Sequence, residues 1–184
     1  MIQLALSPDI ELNNQFMKKH FFFYPLLFFF FAAGAQNNPK PCSAPEFSQF
    51  DFWLGKWEAY SADTLTATNT IVKIMDGCTL QENFESPKSN YSGKSWSVYN
   101  PQTKLWQQTW VDNQGGYIAL TGSFENEKMT LSAAPRKIKN GKEVIERMVF
   151  YNIGTDTFDW NWEASTDNGA TWKNNWHIHY VRKK

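Results

Sequence analysis

The chain has 184 residues, 18 Lys+Arg against 18 Asp+Glu, and nine tryptophans. That length suits one domain, and a net charge of zero excludes the positive field that nucleic-acid binders and polybasic membrane-surface proteins need. Aromatic residues make up 17% of the chain, a surplus that packing or a ligand has to explain.

Lys18 and Lys19 precede an apolar run from Phe21 to Phe31, which ends at Ala33-Gly34-Ala35. Basic, apolar and small-residue regions in that order form a secretory signal peptide. The run is shorter than the roughly 20 residues a bilayer span needs. Residues 1–16 therefore read as an upstream extension before Met17, 17–35 as the signal peptide, 36–42 as a leader, and 43–184 as one domain. Periplasmic or secreted localisation follows, with no membrane span left after cleavage. The first 35 residues hold eight of the 15 Phe and none of the Trp, so the exported part carries a tryptophan excess. Cys42 and Cys78 are expected to pair as a disulfide in an oxidising compartment, the alternative being two buried thiols.

Ser43-Ala44-Pro45-Glu46 reads as a helix start with Ser43 as N-cap. Phe47, Phe50, Trp53 and Leu54 follow at helical spacing, and Gly55 ends the helix. After Gly55 the period changes to two. Strands are predicted near 55–62, 66–75, 78–86, 91–99, 104–111, 116–124, 128–133, 143–152, 157–165 and 171–182. Turn-formers separate them: Asp76-Gly77, Pro87–Asn90, Asn100-Pro101, Asn113–Gly116, Asn126-Glu127, Asn140-Gly141, Gly154 and Asn168-Gly169. Ten strands with short connections form a meander, which leaves exposed edges unless it closes. The fold class is all-β, an up-and-down antiparallel barrel of about ten strands with a short N-terminal helix capping one end. A barrel of that size encloses more room than its side chains fill.

The segment Phe50-Asp51-Phe52-Trp53-Leu54-Gly55-Lys56-Trp57 resembles the opening of the calycin barrels, the lipocalins and fatty-acid-binding proteins. In those proteins the Trp sits at the closed end under an Arg or Lys of the last strand; the resemblance assigns these roles to Trp57 and Arg182. Together with Gly77–Glu82, Tyr99-Asn100-Pro101, Trp106–Asp112 and Ser165–Trp172, the opening also resembles an uncharacterised family of exported bacterial proteins. That resemblance implies a calycin-like fold and carries no catalytic residues. Ser165–Trp172 fits the S-x-D-x-G-x-T-W Asp box as well, here one hairpin between the last two strands.

Alternation places residues two apart on one face. With Arg182 at the barrel floor, Trp172, Trp176, Ile178 and Tyr180 share its inward face, while His177 and His179 face out. That placement speaks against a haem ligand of the nitrobindin type, and the reading includes no metal and no cofactor. Glu82, Glu146 and Glu163 are carboxylates within strands, and Arg147 is placed to neutralise one of them or to bind a carboxylate. There is no phosphate loop and no G-x-S-x-G elbow. Indoles supply both area and a donor, so Trp96, Gln108, Trp110, Tyr151, Trp162 and Trp176 are the candidate cavity lining. The functional expectation is non-covalent binding of a small apolar or aromatic molecule, by a monomer or weak dimer with no nucleic-acid partner. The alternatives are an enzyme acting on envelope lipid or glycan through Glu82 or Glu163, a haem-binding barrel of the nitrobindin type, and sugar recognition by a surface strip of Trp160 and Trp172.

Overall fold

A computed structural model describes residues 40–139 and 141–184; the expected upstream extension and signal peptide lie outside the described residues. The chain enters through two short 3-10 turns, Pro45–Ser48 and Asp51–Trp53. The predicted helix is thus broken into two tight turns. Ala44, not Ser43, takes the N-cap position, and no side chain caps it.

Eleven strands follow: β1 Gly55–Ser61, β2 Thr64–Ile74, β3 Thr79–Ser86, β4 Tyr91–Asn100, β5 Leu105–Asp112, β6 Tyr117–Glu125, β7 Lys128–Ala133, β8 Arg136–Lys137, β9 Glu143–Tyr151, β10 Thr157–Ser165 and β11 Lys173–Arg182. Each pairs antiparallel with its chain neighbour, except that β7 pairs directly with β9 and the two-residue β8 adds to β9 outside the ring. β1 pairs with β11, placing Trp57 opposite Arg182, and β9 pairs with β10. Ten strands therefore close into an up-and-down antiparallel barrel of calycin-like architecture. Closure removes the exposed edges that a meander would otherwise present. The turns use residues suited to left-handed backbone. Asn126 and Glu127 (φ 50° and 59°) join β6 to β7, and Asn168 and Gly169 (φ 57° and 87°) sit between β10 and β11.

One end of the barrel is shut. The Arg182 guanidinium lies 4.1 Å from the Trp57 ring centroid, a contact worth about 0.5–2 kcal/mol. It also donates to the Leu54, Phe52 and Thr155 carbonyl oxygens at 2.7, 3.4 and 2.9 Å. Gly55 makes this approach possible: its φ is +119°, and a Cβ there would stand 2.5 Å from Arg182 Nη1. Trp57 Nε1 donates to the Trp53 carbonyl at 2.7 Å, which fixes the entry turns against the floor.

Those turns fill the shut half. Phe50 stacks on Trp53 at 5.0 Å and meets Trp106 and Phe150 edge-on. Leu120, Met129, Leu131 and Phe158, all 2% exposed or less, complete this core. Two further ties hold the turns from outside: Lys73 pairs with Asp51 at 2.7 Å, and Cys42 is bonded to Cys78, with Cα atoms 5.2 Å apart. The disulfide joins the leader to the β2–β3 connection.

Candidate functional site

The other half of the barrel is hollow. A cavity of about 350 Å³ lies above the entry turns, at the small end of the range of about 300–1,000 Å³ typical of ligand sites. Trp53 forms its base, and β3 to β6 and β9 to β11 form its walls. Five aromatic rings run around it in near-continuous contact. Trp160 meets Trp176 edge-on at 5.4 Å, Trp176 meets Phe84 at 6.5 Å, Phe84 meets Trp110 at 6.1 Å, and Trp110 meets Tyr91 at 6.3 Å. Trp162, Met148, Ile118 and Ile178 add apolar surface. Trp176 is 40% exposed, at the mouth.

Trp110 is placed by its surroundings. Its ring lies on Gly93 so closely that a Cβ there would stand 2.1 Å from the indole. Its Nε1 donates to Asp112 Oδ2 at 3.3 Å, and Tyr91 Oη donates to the same oxygen at 3.1 Å. Asp112 in turn accepts the Gln114 and Gly116 amides at 2.9 and 2.8 Å. Those backbone bonds hold its carboxyl below the usual range. Burial and the bond to Asp112 push the Tyr91 phenol up to about 12.

A belt of polar side chains occupies the inner face of β2 to β5. Pairing sets Glu82 opposite Ser95, and Ser97 opposite Gln108. Asn69 Nδ2 donates to Glu82 Oε1 at 2.7 Å and Ser95 Oγ donates to Oε2 at 2.5 Å. Gln108 Nε2 reaches both Ser95 Oγ and Ser97 Oγ at 3.1 Å. All five residues are buried, and of them Glu82 reaches the cavity wall. Burial drives the Glu82 carboxyl from 4.5 up to about 7, against the lowering effect of its bonds from Ser95 and Asn69. Burial, then the Glu82 charge, holds the Tyr180 phenol above its ordinary value. Three atoms here and at the base have no hydrogen-bond partner among the described residues: Asn69 Oδ1, Gln108 Oε1 and Trp53 Nε1.

The residues singled out in the sequence fall in three places. Trp110, Trp162 and Trp176 line the cavity. Gln108 is inside the barrel but belongs to the polar belt. Trp96 and Tyr151 are on the outer wall, not in the cavity. On β4 the buried face belongs to Gly93, Ser95 and Ser97, leaving Trp96 38% exposed. On β9 Phe150 takes the inward position, so Tyr151 turns out and donates to Asn161 Oδ1 at 3.3 Å.

Among the strand carboxylates, Glu82 and Glu146 reach the cavity, and Arg136 holds Glu146 at 2.8 Å. Glu163 faces out and pairs with Arg147 at 2.7 Å, so Glu82 and Glu163 do not converge as an acid–base pair. Trp172 also lies outside, 3.6 Å from the Arg147 guanidinium. A one-residue bulge on β11 is the cause. Trp162 pairs with Trp176 but Glu163 pairs with Asn174, which reverses the alternation for everything before Trp176. With Trp160 inside and Trp172 outside, the two do not form one surface strip.

His177 and His179 face out, as the parity of β11 requires. His179 Nδ1 is 2.8 Å from Asp159 Oδ1, and His177 Nδ1 is 3.0 Å from Asn161 Oδ1. Although burial pushes Asp159 up, bonds from Asn152 and His179 bring its carboxyl below the usual range. The Asp box forms its hairpin as expected. Ser165 Oγ donates to Asp167 at 2.6 Å, Asp167 accepts the Thr171 amide at 2.9 Å, and Trp172 Nε1 donates to the Gly169 carbonyl at 3.0 Å. The bonds from Ser165 and Thr171 hold the Asp167 carboxyl down at about 2. No helix among the described residues is long and apolar enough to cross a membrane.

Asn69, Ser95, Ser97, Trp53 and Tyr180 take part in the site without having been singled out for it. One signal was present for Glu82: Leu80 and Phe84 flank it at two-residue spacing, so an apolar face carries a carboxylate in its middle. Neither protein-family models nor curated proteins match the chain, and the function has to be read from this geometry.

Proposed function

We propose that the protein is exported and holds a small apolar or aromatic molecule, without covalent bonding, in the open half of its barrel. The observation that carries this reading is the cavity of about 350 Å³ walled by indole and phenyl rings. A globular interior is normally packed to crystal density, and this one leaves the space above its entry turns unfilled. The closed ring of paired strands and the entry turns at its base shape the space without a ligand, which reduces the ordering cost of binding. The lining gives area and stacking surfaces, and the few polar groups set orientation. The disulfide agrees with an oxidising compartment.

The test is a titration of intrinsic tryptophan fluorescence with a panel of small aromatic and aliphatic compounds. Trp110, Trp160, Trp162 and Trp176 surround the space, so occupancy changes their emission in a saturable way. Met148→Trp, which fills the cavity from β9, is expected to remove that response while the protein stays folded. Absence of saturable change across the panel, or an unchanged response in Met148→Trp, rejects the reading.

A further inference from the structure

The cavity contains a charge without a counter-charge. Glu82 reaches its wall, and among the described lining residues there is no Lys, Arg or His. The second carboxylate, Glu146, already has Arg136. Glu82 has only neutral donors, one on each oxygen, from Asn69 and Ser95. An ionised carboxylate offers about four acceptor positions, so two remain. Next to it, Asn69 Oδ1 and Gln108 Oε1 are acceptors with no donor. The belt is short of donors and of positive charge, and the aromatic faces opposite it are surfaces on which a cation is stabilised.

We infer that the ligand carries a protonated amine on an apolar or aromatic body, with the ammonium seated against Glu82 and the body among Trp110, Trp160 and Trp176. This names the ligand class for the site proposed above and rests on that proposal. An ammonium brings up to three donors and one positive charge, and Glu82, the belt residue that reaches the cavity wall, has acceptor positions left and no counter-charge. An anionic ligand would meet two carboxylates and no cation. A bare metal ion would find a single unpaired carboxylate where a hard cation takes six or more oxygens, and no metal-holding group of His, Cys, Asp and Glu occurs among the described residues.

Binding is coupled to ionisation of Glu82. The titratable groups facing it are the phenols of Tyr180 on β11 and Tyr91 on β4, with Glu146 and its partner Arg136 completing the charged groups of the cavity. Both phenols stay neutral at and below pH 8. Between pH 6 and 8 the amine's affinity follows Glu82, rising as the carboxyl loses its proton.

The experiment compares 3-phenylpropylamine, 3-phenylpropan-1-ol and 3-phenylpropionate by calorimetry on wild type and Glu82→Gln at pH 6, 7 and 8. The expected result at pH 8 is at least tenfold tighter binding of the amine than of the alcohol, with the propionate weakest. Amine affinity is expected to drop several-fold at pH 6, and two buffers of different ionisation enthalpy to reveal proton release at pH 7. Glu82→Gln makes amine and alcohol equal. Alcohol binding as tight as amine binding in wild type, or an amine preference that survives Glu82→Gln, overturns this inference and leaves the cavity reading standing. Failure of all three to bind at millimolar concentration overturns both. The pH series on wild type separates these outcomes even without the variant.

Discussion

Replacing Glu82 by Gln changes how stability depends on pH. The Glu82 carboxyl is raised from 4.5 to about 7 in the folded barrel, chiefly by burial. Below pH 4.5 it is protonated in both folded and unfolded chains and contributes nothing to the pH dependence. From pH 4.5 to 7 the unfolded chain is ionised and the folded one still holds its proton, so stability falls with rising pH. At about 1.4 kcal/mol per pH unit, the total reaches about 3 kcal/mol and is constant above pH 7. Gln is nearly isosteric: its oxygen keeps the Asn69 bond, and Ser95 Oγ turns from donor to acceptor. The variant removes this one titration and leaves all others in place, so the difference between the two proteins isolates it. Urea unfolding at pH 5, 6, 7 and 8, disulfide intact, is expected to show Glu82→Gln close to wild type at pH 5. At pH 8 it is expected to be more stable by up to about 3 kcal/mol, or about 6–12 °C in Tm for a domain of this size. A difference that does not change over pH 5–8, or a wild type that is the more stable at pH 8, refutes the argument that Glu82 is buried without a counter-charge.

Other parts of the barrel give sharper structural readouts. The double change Cys42→Ser with Cys78→Ser opens a loop closed over a separation of 36 residues and is expected to lower unfolding free energy by about 4 kcal/mol on the chain-entropy model. A loss under about 1 kcal/mol in denaturant would contradict that account of the disulfide. Arg182→Met removes the cation over Trp57 and three donors to backbone carbonyls, for an expected cost of about 3–5 kcal/mol. Arg182→Lys restores only part, because an ammonium cannot reproduce the planar fork; full rescue by Lys would mean that charge alone seals the floor. Gly93→Val puts a side chain where the Trp110 ring now lies, so near-UV circular dichroism should change and binding of any cavity ligand should weaken at least tenfold. Unchanged binding would place the ligand away from Trp110.

The strands and their turns were legible because period-two texture and turn residues are local signals. Only the pair Arg136–Lys137 was missed, since it extends the line of β7 along β9 after Pro135 and carries no alternation of its own. The closed end was legible through the resemblance of the opening motif to the calycin barrels, which assigns it Trp57 and Arg182, and the two are paired across β1 and β11. The cavity was half legible. Reading parity from Arg182 places Trp176 correctly but carries Trp172 to the wrong side, since a bulge has no signature in this sequence. Trp96 was misplaced for a different reason. On β4 the inward residues are Gly93, Ser95 and Ser97, the reverse of the usual partition, because Trp110 needs the space over Gly93 and Glu82 needs the Ser95 hydroxyl. That exchange is a property of neighbouring strands in register and cannot be read from β4 alone. Val149-Phe150-Tyr151 is apolar on both faces, so alternation could not choose between Phe150 and Tyr151.

The two halves of the interior follow different rules, and the contrast bears on function. In the lower half Phe50, Trp53, Trp106, Phe150 and Phe158 interlock with exposures of 2% or less, as a barrel floor plugged by its own entry turns should. In the upper half the same barrel sets its indoles around empty volume, buries a carboxylate at a cost of about 3 kcal/mol, and leaves amide oxygens of Asn69 and Gln108 unpaired among the described residues. Each unpaired buried acceptor costs about 1–3 kcal/mol more. A belt made apolar as a whole, at positions 69, 82, 95 and 108 together, would carry none of this penalty, and stability alone favours such replacements. Local rules broken together, in one place, and next to empty volume are the mark of a site held ready for something else. The partner we propose is one that supplies what the cavity lacks: apolar area beside the rings, and hydrogen-bond donors with one positive charge for Glu82.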